Sequence, residues 1–226
     1  MFTRISLFLT SICIGLSVYL FWSSPLSPVA PHRARRLVLK GKLEQAINLL
    51  ELRAQKSYSS AQREEALWEA AQLAALRLED PTRGIDLLEQ CLQIDDFQYS
   101  SEAHSQMALL LFDFAIEESI EHWQKAVTIS PDHPQSQIWI SKLAMSYELQ
   151  EDHEKAIETW QLIDDPEIKN VAELALGRLK LTSAPQEAWQ HFAVVKDDIY
   201  LERAKTAELG QQLARWQIAV QSLAKP

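Results

Sequence analysis

The sequence predicts an all-α protein made of repeated helix pairs, and three observations carry that prediction. The 226-residue chain contains only 5 glycines and is 47% hydrophobic, and Ala, Leu, Glu and Gln recur throughout it. These four residue types lose little conformational freedom in a helix. Few segments alternate apolar and polar residues with the period of two that is typical of strands. Finally, a similar arrangement of large and small residues returns after roughly 35 residues, which is a spacing typical of helical repeats.

The N-terminal segment predicts a membrane anchor. Residues 5–22 form a stretch of eighteen residues without a charge, a length near the lower limit for a helix that crosses a bilayer. Tyr19 and Trp22 lie at its far end, where aromatic rings favour the membrane interface. The nearest candidate signal-peptide cleavage site is followed directly by Pro31, which disfavours cleavage. We therefore expect residues 1–22 to form an uncleaved transmembrane helix.

A proline-rich spacer is predicted to follow the anchor. Pro25, Pro28 and Pro31 recur at three-residue intervals in residues 23–32. Prolines at this spacing interrupt a helix, so the segment is expected to be extended and to separate the anchor from the body of the protein.

The side of the membrane on which the body lies is less clearly encoded. Only Arg4 precedes the apolar stretch, whereas five basic residues lie between positions 33 and 42. The positive-inside tendency alone would leave the body in the cytoplasm. Short N-terminal anchors ahead of periplasmic repeat domains, however, usually keep the N-terminus inside. We favour an extracytoplasmic, periplasmic body, and the cytoplasmic side stays open as the alternative.

One segment shows the repeat pattern most clearly. Its first predicted helix has a large residue, a Leu-small pair and then an aromatic residue. Its second has a small residue four positions before a large one, and a proline follows. The residues in these roles are Ile140, Leu143, Ala144, Tyr147, Ala156, Trp160 and Pro166. This unit resembles a tetratricopeptide repeat (TPR), in which two antiparallel helices pack through small residues.

Further copies follow the same template with substitutions at some positions. The large residue of the second helix recurs at Leu50, Leu88, Trp123, Trp160 and Phe192. The resemblance covers residues 33–196 and implies four or five repeats stacked as a right-handed superhelix of antiparallel helix pairs. Residues 197–226 are predicted to form two capping helices, hinged near Gly210.

The sequence offers no set of residues typical of a catalytic site. It lacks a Gly-rich phosphate loop, a paired-cysteine metal motif and a nucleophile elbow. Acidic clusters around His133 and His153 fall at predicted turns or helix starts, so we interpret them as helix caps. Cys91 is interpreted as a small buried hydrophobic residue. We therefore predict a protein that is not an enzyme and that has no cofactor, no metal and no small-molecule substrate.

The TPR resemblance implies a groove for a partner protein, lined by the first helices of successive pairs. The matching positions here are mostly apolar with a few charges, which suits an amphipathic helix or an extended apolar segment. They are Leu73, Leu76, Arg77, Ser105, Leu109, Phe112, Asp113, Ile138, Ser141, Met145 and Glu148. The alternative is that part of this strip belongs to the core.

The aromatic residues leave one further question. Three tryptophans, Trp139, Trp189 and Trp216, do not match packing positions of the repeat, and one of them is a candidate exposed anchor for a partner.

These observations predict a membrane-anchored TPR scaffold or adaptor that binds partner proteins in assembly, secretion or chaperoning at the membrane. The layout is similar to that of assembly factors for c-type cytochromes and accessory subunits of the secretion translocon. The alternative is a constitutive structural subunit of a membrane complex. The net charge of −9 argues against nucleic acid as a partner, because phosphates require a basic surface.

Overall fold

The structure, a computed structural model, describes residues 31–78, 80–195 and 200–223. Every regular element in these ranges is helical. The predicted anchor at residues 1–22 lies outside them, as does the predicted spacer apart from residues 31 and 32. The first helix begins at Pro31, a position that proline tolerates because the first turn of a helix leaves its N–H groups unbonded. Among the described helices, none has the length and apolar character needed to span a bilayer.

The chain divides into two compact units, residues 1–110 and 111–226. The helices of the first unit are α1 (Pro31–Leu39), α2 (Leu43–Lys56), α3 (Ser60–Leu73), α4 (Pro81–Leu92) and α5 (Ser100–Leu111), whose last residue belongs to the second unit; a π-helical turn (Ala74–Leu78) extends α3. The helices of the second unit are α6 (Ile116–Ile129), α7 (Ser136–Leu149), α8 (His153–Trp160), α9 (Pro166–Lys180), α10 (Pro185–Val195) and α11 (Leu201–Leu223).

In the first unit, consecutive helices pack against one another around an apolar core. Leu50 of α2 and Leu88 of α4, two of the large residues of the repeat pattern, are completely buried. The guanidinium of Arg83 joins the same two helices, because its Nε and Nη2 donate to the Glu51 carboxylate at 3.2 and 2.9 Å. Trp68 stacks on Tyr99 with 5.2 Å between the ring centroids, so the aromatic ring of α3 closes the core beside the segment that precedes α5.

In the second unit, alanines lie where the repeat pattern requires small residues. Ala144 of α7 and Ala156 of α8 are completely buried in a pair of helices that pack on each other. Trp160 fills the adjacent space and is also buried. Larger residues at the alanine positions would separate the helices, because interiors are packed as densely as organic crystals. The unit predicted from residues 140–166 therefore forms the expected helix pair.

Aspartates begin several of these helices. The Oδ1 atoms of Asp80, Asp152 and Asp165 accept hydrogen bonds from backbone N–H groups of the first turn, at 3.0, 3.2 and 2.7 Å. Each bond satisfies a donor that the helix itself leaves unpaired. The acidic cluster before α8 thus contains a helix cap, as the sequence indicated.

The C-terminal segment differs from its prediction. We expected two helices hinged near Gly210, but Leu201–Leu223 is one continuous helix. Gly210 is buried in the middle of it, and a β-carbon added there would lie 2.6 Å from the ring of Phe192. The glycine allows α11 to approach α10 closely, and it does not break the helix.

Candidate functional site

Three of the predicted groove residues are buried among the helices and do not face a groove. Leu73 belongs to the core of the first unit. Ser105 and Ser141 are also buried, and their hydroxyls donate to carbonyls of their own helices, at 2.8 Å to Glu102 and 2.7 Å to Ile138. For these three residues the alternative applies, that part of the strip belongs to the core, because a helix position three or four residues from an exposed one can face a neighbouring helix.

The other predicted residues have accessible side chains in several places. Leu76, Arg77 and Leu109 are exposed in the first unit, Asp113 and Ile138 are exposed in the second, and Phe112 is half-buried there. Met145 and Glu148, both on α7, line one concave site in the second unit. Two of the eleven predicted groove residues thus line the same concave site.

That site is an apolar cleft of about 400 Å³. Helices α7, α9 and α11 form its walls, and Trp160 of α8 and Phe192 of α10 also line it. The lining residues are Met145, Glu148, Trp160, Val171, Leu174, Ala175, Arg178, Leu181, Phe192, Thr206, Leu209, Gly210 and Leu213. Its volume lies within the range of about 300–1,000 Å³ that is usual for binding sites.

The charged groups of the cleft are paired with each other. The carboxylate of Glu148 accepts a hydrogen bond from Trp160 Nε1 at 2.7 Å and a second one from the guanidinium of Arg178. The Glu148 side chain is 12% exposed, whereas that of Arg178 is 67% exposed. The buried carboxylate is therefore compensated, and the guanidinium is presented to solvent at the edge of an otherwise apolar surface.

Gly177 and Gly210 fix the position of the Phe192 ring, which α10 contributes to the cleft. A β-carbon at Gly177 of α9 would lie 2.7 Å from Phe192 Cε1, and one at Gly210 of α11 would lie 2.6 Å from the same atom. Real β-carbons do not approach other atoms so closely, so only glycine lets both helices contact the ring. This double contact holds α9 and α11 around Phe192, and both helices supply walls of the cleft.

The apolar surface of α11 extends beyond the cleft. Leu209, Leu213, Trp216, Val220 and Leu223 follow one another at intervals of four and three residues, so they form a stripe along one side of the helix. Their exposed fractions range from 40 to 86%. We call these five residues the α11 stripe. Trp216 is thus the exposed tryptophan among the three that the repeat pattern left unassigned, since Trp139 is buried and Trp189 is half-buried.

A polar cluster beside the cleft has a structural explanation. Glu173 of α9 is buried, and its Oε2 lies 2.7 Å from His191 Nδ1 of α10. Lys169 lies one turn earlier, with its Nζ 3.5 Å from Glu173 Oε1. The cluster joins α9 to α10. In the part of the chain that the structure describes, no group of three or more His, Cys, Asp or Glu side chains is arranged to hold a metal ion.

The predicted groove ends at Glu148, whereas the cleft extends onto α9. The sequence does contain a second apolar series, Val171, Leu174 and Leu181, which lines the cleft together with Arg178. Together with Arg178 these residues follow one another at intervals of three, four and three, which indicates a second surface of α9.

No protein-family model matches this sequence, and neither does any curated protein. Among solved structures, the chain is similar to the crystal structure of MamA, with a TM-score of 0.56 and 16% identity over 84% of this chain and 96% of MamA. It is also similar to the MamA RS-1 ArsTM double mutant, with a TM-score of 0.55 and 19% identity over 84% of this chain and 93% of that one. These similarities, together with the helix pairs described above, show that the chain has a TPR-like, all-helical fold.

Proposed function

We propose that this protein is an interaction scaffold that holds an apolar segment of a partner protein in the cleft of its second unit. One observation carries the proposal: the cleft is apolar, and its buried carboxylate is already paired with Trp160 and Arg178. A ligand recognised by many hydrogen bonds would need donors and acceptors directed into the cleft. An apolar helix face or extended segment needs mainly shape and apolar surface, which this cleft supplies.

We further propose that the protein acts by binding and not by catalysis. Glu148 and Arg178, the charged residues of the cleft, stabilise each other and leave no reactive pair converging on a substrate. The thiol of Cys91 lies in the core of the first unit, where burial, with a smaller effect of Glu64, raises its pKa to about 12. A thiol with that pKa is not a nucleophile near neutral pH.

The location we propose is a membrane surface, with residues 1–22 as the anchor, residues 23–32 as the spacer and the body on the extracytoplasmic side. The charge-free stretch of residues 5–22 supports the anchor. The scaffold would then serve assembly, secretion or chaperoning at the membrane. The second possibility is a constitutive subunit of a membrane complex, in which case the cleft would be permanently filled.

The side of the membrane can be tested with Leu162→Cys, because Leu162 is exposed in the turn after α8. A membrane-impermeant maleimide applied to intact cells should label this variant, and the buried Cys91 gives the background. Labelling that requires lysis of the cells would place the body in the cytoplasm.

Binding in the cleft can be tested by site-specific photo-crosslinking in the native membrane. A photoreactive amino acid replaces Leu174, which lines the cleft, and in a matched control it replaces Leu162, which is exposed outside the cleft. We expect a discrete protein adduct from position 174 and none from position 162. Absence of an adduct at position 174, or equal adducts at both positions, would refute the proposed function.

A further inference from the structure

The α11 stripe has the spacing of a coiled-coil seam. Intervals of four and three residues place its members on the side of a helix that packs against another helix in a left-handed supercoil. With 23 residues, α11 is about 34 Å long, and the stripe, from Leu209 to Leu223, offers a helical partner two successive heptads. No element within the described ranges covers it, as the high exposure of its members shows.

The two halves of this helix differ in a way that makes them complementary. Thr206, Leu209 and Leu213 of the N-terminal half line the cleft, so this half is part of a concave surface. Trp216, Val220 and Leu223 of the C-terminal half do not line the cleft, and they project as an exposed apolar ridge. One half of α11 therefore supplies a receptor surface and the other half supplies an insert.

We propose that a second copy of this chain occupies the cleft, with the two α11 helices antiparallel about a twofold axis near Ala214 and Arg215. The C-terminal ridge of each copy lies in the cleft of the other. This inference rests on the proposed function, because it names the occupant of the same cleft. The pairing places Leu213 against Trp216 of the second copy, Leu209 against its Val220 and Thr206 against its Leu223.

The charged end of the helix favours the antiparallel direction. Glu202 and Lys205 form an ion pair of 3.6 Å just before the stripe begins. In an antiparallel pair these two residues lie past the apolar end of the second copy's stripe. A parallel pair would place Glu202 beside Glu202 and Lys205 beside Lys205, and like charges at such a distance repel. A parallel pair would also place the cleft of one copy opposite the cleft of the other, so that the ridge of neither copy could enter a cleft.

The α11 stripe by itself supplies the smallest area expected of a specific dimer. Its five side chains expose on the order of 500 Å² per copy, or about 1,000 Å² for two copies, which is the lower limit for a biological interface. Met145, Val171 and Leu174 of the cleft supply further apolar area. Trp216 is 64% exposed, and entering the cleft brings it towards the solvent-exposed guanidinium of Arg178, a favourable neighbour for an indole ring. Aromatic residues of this kind often carry much of the energy of an interface.

Disulfide trapping tests both the pairing and its direction. In the full-length chain with Cys13 replaced by Ser, Thr206→Cys and Leu223→Cys are expressed separately and together. The antiparallel dimer predicts a disulfide-linked dimer only when the two variants are combined. Either variant alone separates its two copies of the new cysteine by 17 residues, or about 25 Å, which is too far for a disulfide. Dimers from each variant alone indicate a parallel pair and overturn the proposal, as does the absence of dimer in the combined sample.

The mass of the protein supplies an independent test. Light scattering of the full-length chain in detergent, corrected for bound detergent, should give twice the chain mass of 25.8 kDa. Trp216→Glu should reduce it to the mass of one chain, because the exchange removes the largest apolar side chain of the ridge and takes a charged group out of water. Leu162→Glu, at an exposed site outside the stripe and the cleft, should remain dimeric. A wild-type monomer, or a dimer that persists in Trp216→Glu, would overturn the inference.

The crosslinking experiment separates failure of this inference from failure of the proposed function. An adduct from position 174 that has the mass of two chains, and that Trp216→Glu abolishes, supports the second copy as the occupant. An adduct with a different protein overturns the inference and leaves the proposed function standing. If no adduct forms, both are refuted.

Discussion

Replacing Gly210 with alanine should destabilise the protein, although it places a better helix former in the middle of a helix. The new β-carbon would lie 2.6 Å from Phe192 Cε1 and 2.7 Å from two further atoms of that ring. The ring cannot move away easily, because α9 also contacts it closely at Gly177, where a β-carbon would lie 2.7 Å from the same Cε1 atom. Either α11 must move away from α10 or Phe192 must leave its rotamer.

Two opposing contributions set the size of the effect. In a helix interior, alanine is favoured over glycine by about 1 kcal/mol. Adding a methyl group to a well-packed interior costs about 1–3 kcal/mol when the neighbours cannot adjust. We expect a net loss of about 1 kcal/mol in the free energy of unfolding of the second unit, which lowers its melting temperature by about 4–8 °C if it unfolds as a domain of its size.

The measurement is urea unfolding of the full-length chain, followed by circular dichroism. Gln212→Ala provides the control, since Gln212 is exposed on the same helix and its replacement should change stability by less than about 0.5 kcal/mol. Adding Phe192→Leu to Gly210→Ala should recover part of the loss, which a double-mutant cycle would record as a coupling of about 1 kcal/mol. If Gly210→Ala instead stabilises the protein, the glycine does not serve close packing and the explanation of the single long helix is refuted.

Three further predictions concern buried groups. Ala144→Leu should cost about 1–3 kcal/mol by separating α7 from α8, and unchanged thermal stability would contradict the repeat alignment. Trp160→Phe removes the hydrogen bond to Glu148 and leaves part of its buried carboxylate unsatisfied, so urea unfolding should show a loss of about 1–3 kcal/mol. Cys91, whose pKa is raised to about 12 by burial, should resist iodoacetamide at pH 8 in the native protein and react once urea unfolds it; rapid reaction before unfolding would refute its burial.

The TPR-like helix pairing could be predicted from sequence because packing constrains its residues strongly. Ala144 and Ala156 lie at the closest approach of two helices, where only a small side chain fits, and Trp160 fills the space beside them. Constraints of this kind leave a periodic record in the sequence, and the alignment of the 140–166 unit follows from it.

Gly210 shows why the same reasoning failed further along the chain. A glycine within a helical pattern is compatible with a hinge, a helix end or a close contact, and sequence alone does not separate these possibilities. Only the position of Phe192 on the neighbouring helix decides among them, and that position depends on contacts distant in sequence. The local sequence around Gly210 favours a hinge, but the contact of Gly210 with Phe192 is made within a continuous helix.

The candidate site was predictable only in part, for a related reason. Met145 and Glu148 line the cleft, whereas Ser105 and Ser141 lie on the buried side of their helices. A TPR pattern fixes which residues pack within a helix pair more firmly than it fixes which residues remain exposed. The walls supplied by α9 and α11 depend on how Phe192 spaces those helices, and no residue pattern in the sequence encodes that spacing directly.

The chemistry of α11 argues that it is more than a cap. A helix that only closes a helical repeat protein needs an apolar side towards the last repeat and a polar side towards water. The buried side of α11 meets the first requirement through Ala207, Gly210 and Ala214, small residues that allow close packing. The second requirement is not met, because the α11 stripe faces solvent and includes a tryptophan. Contiguous exposed apolar surface of several hundred Å² marks an interaction site in soluble domains. The helix therefore has the composition of an interface element, and the four- and three-residue spacing of its stripe fits the proposed contact with a second helix.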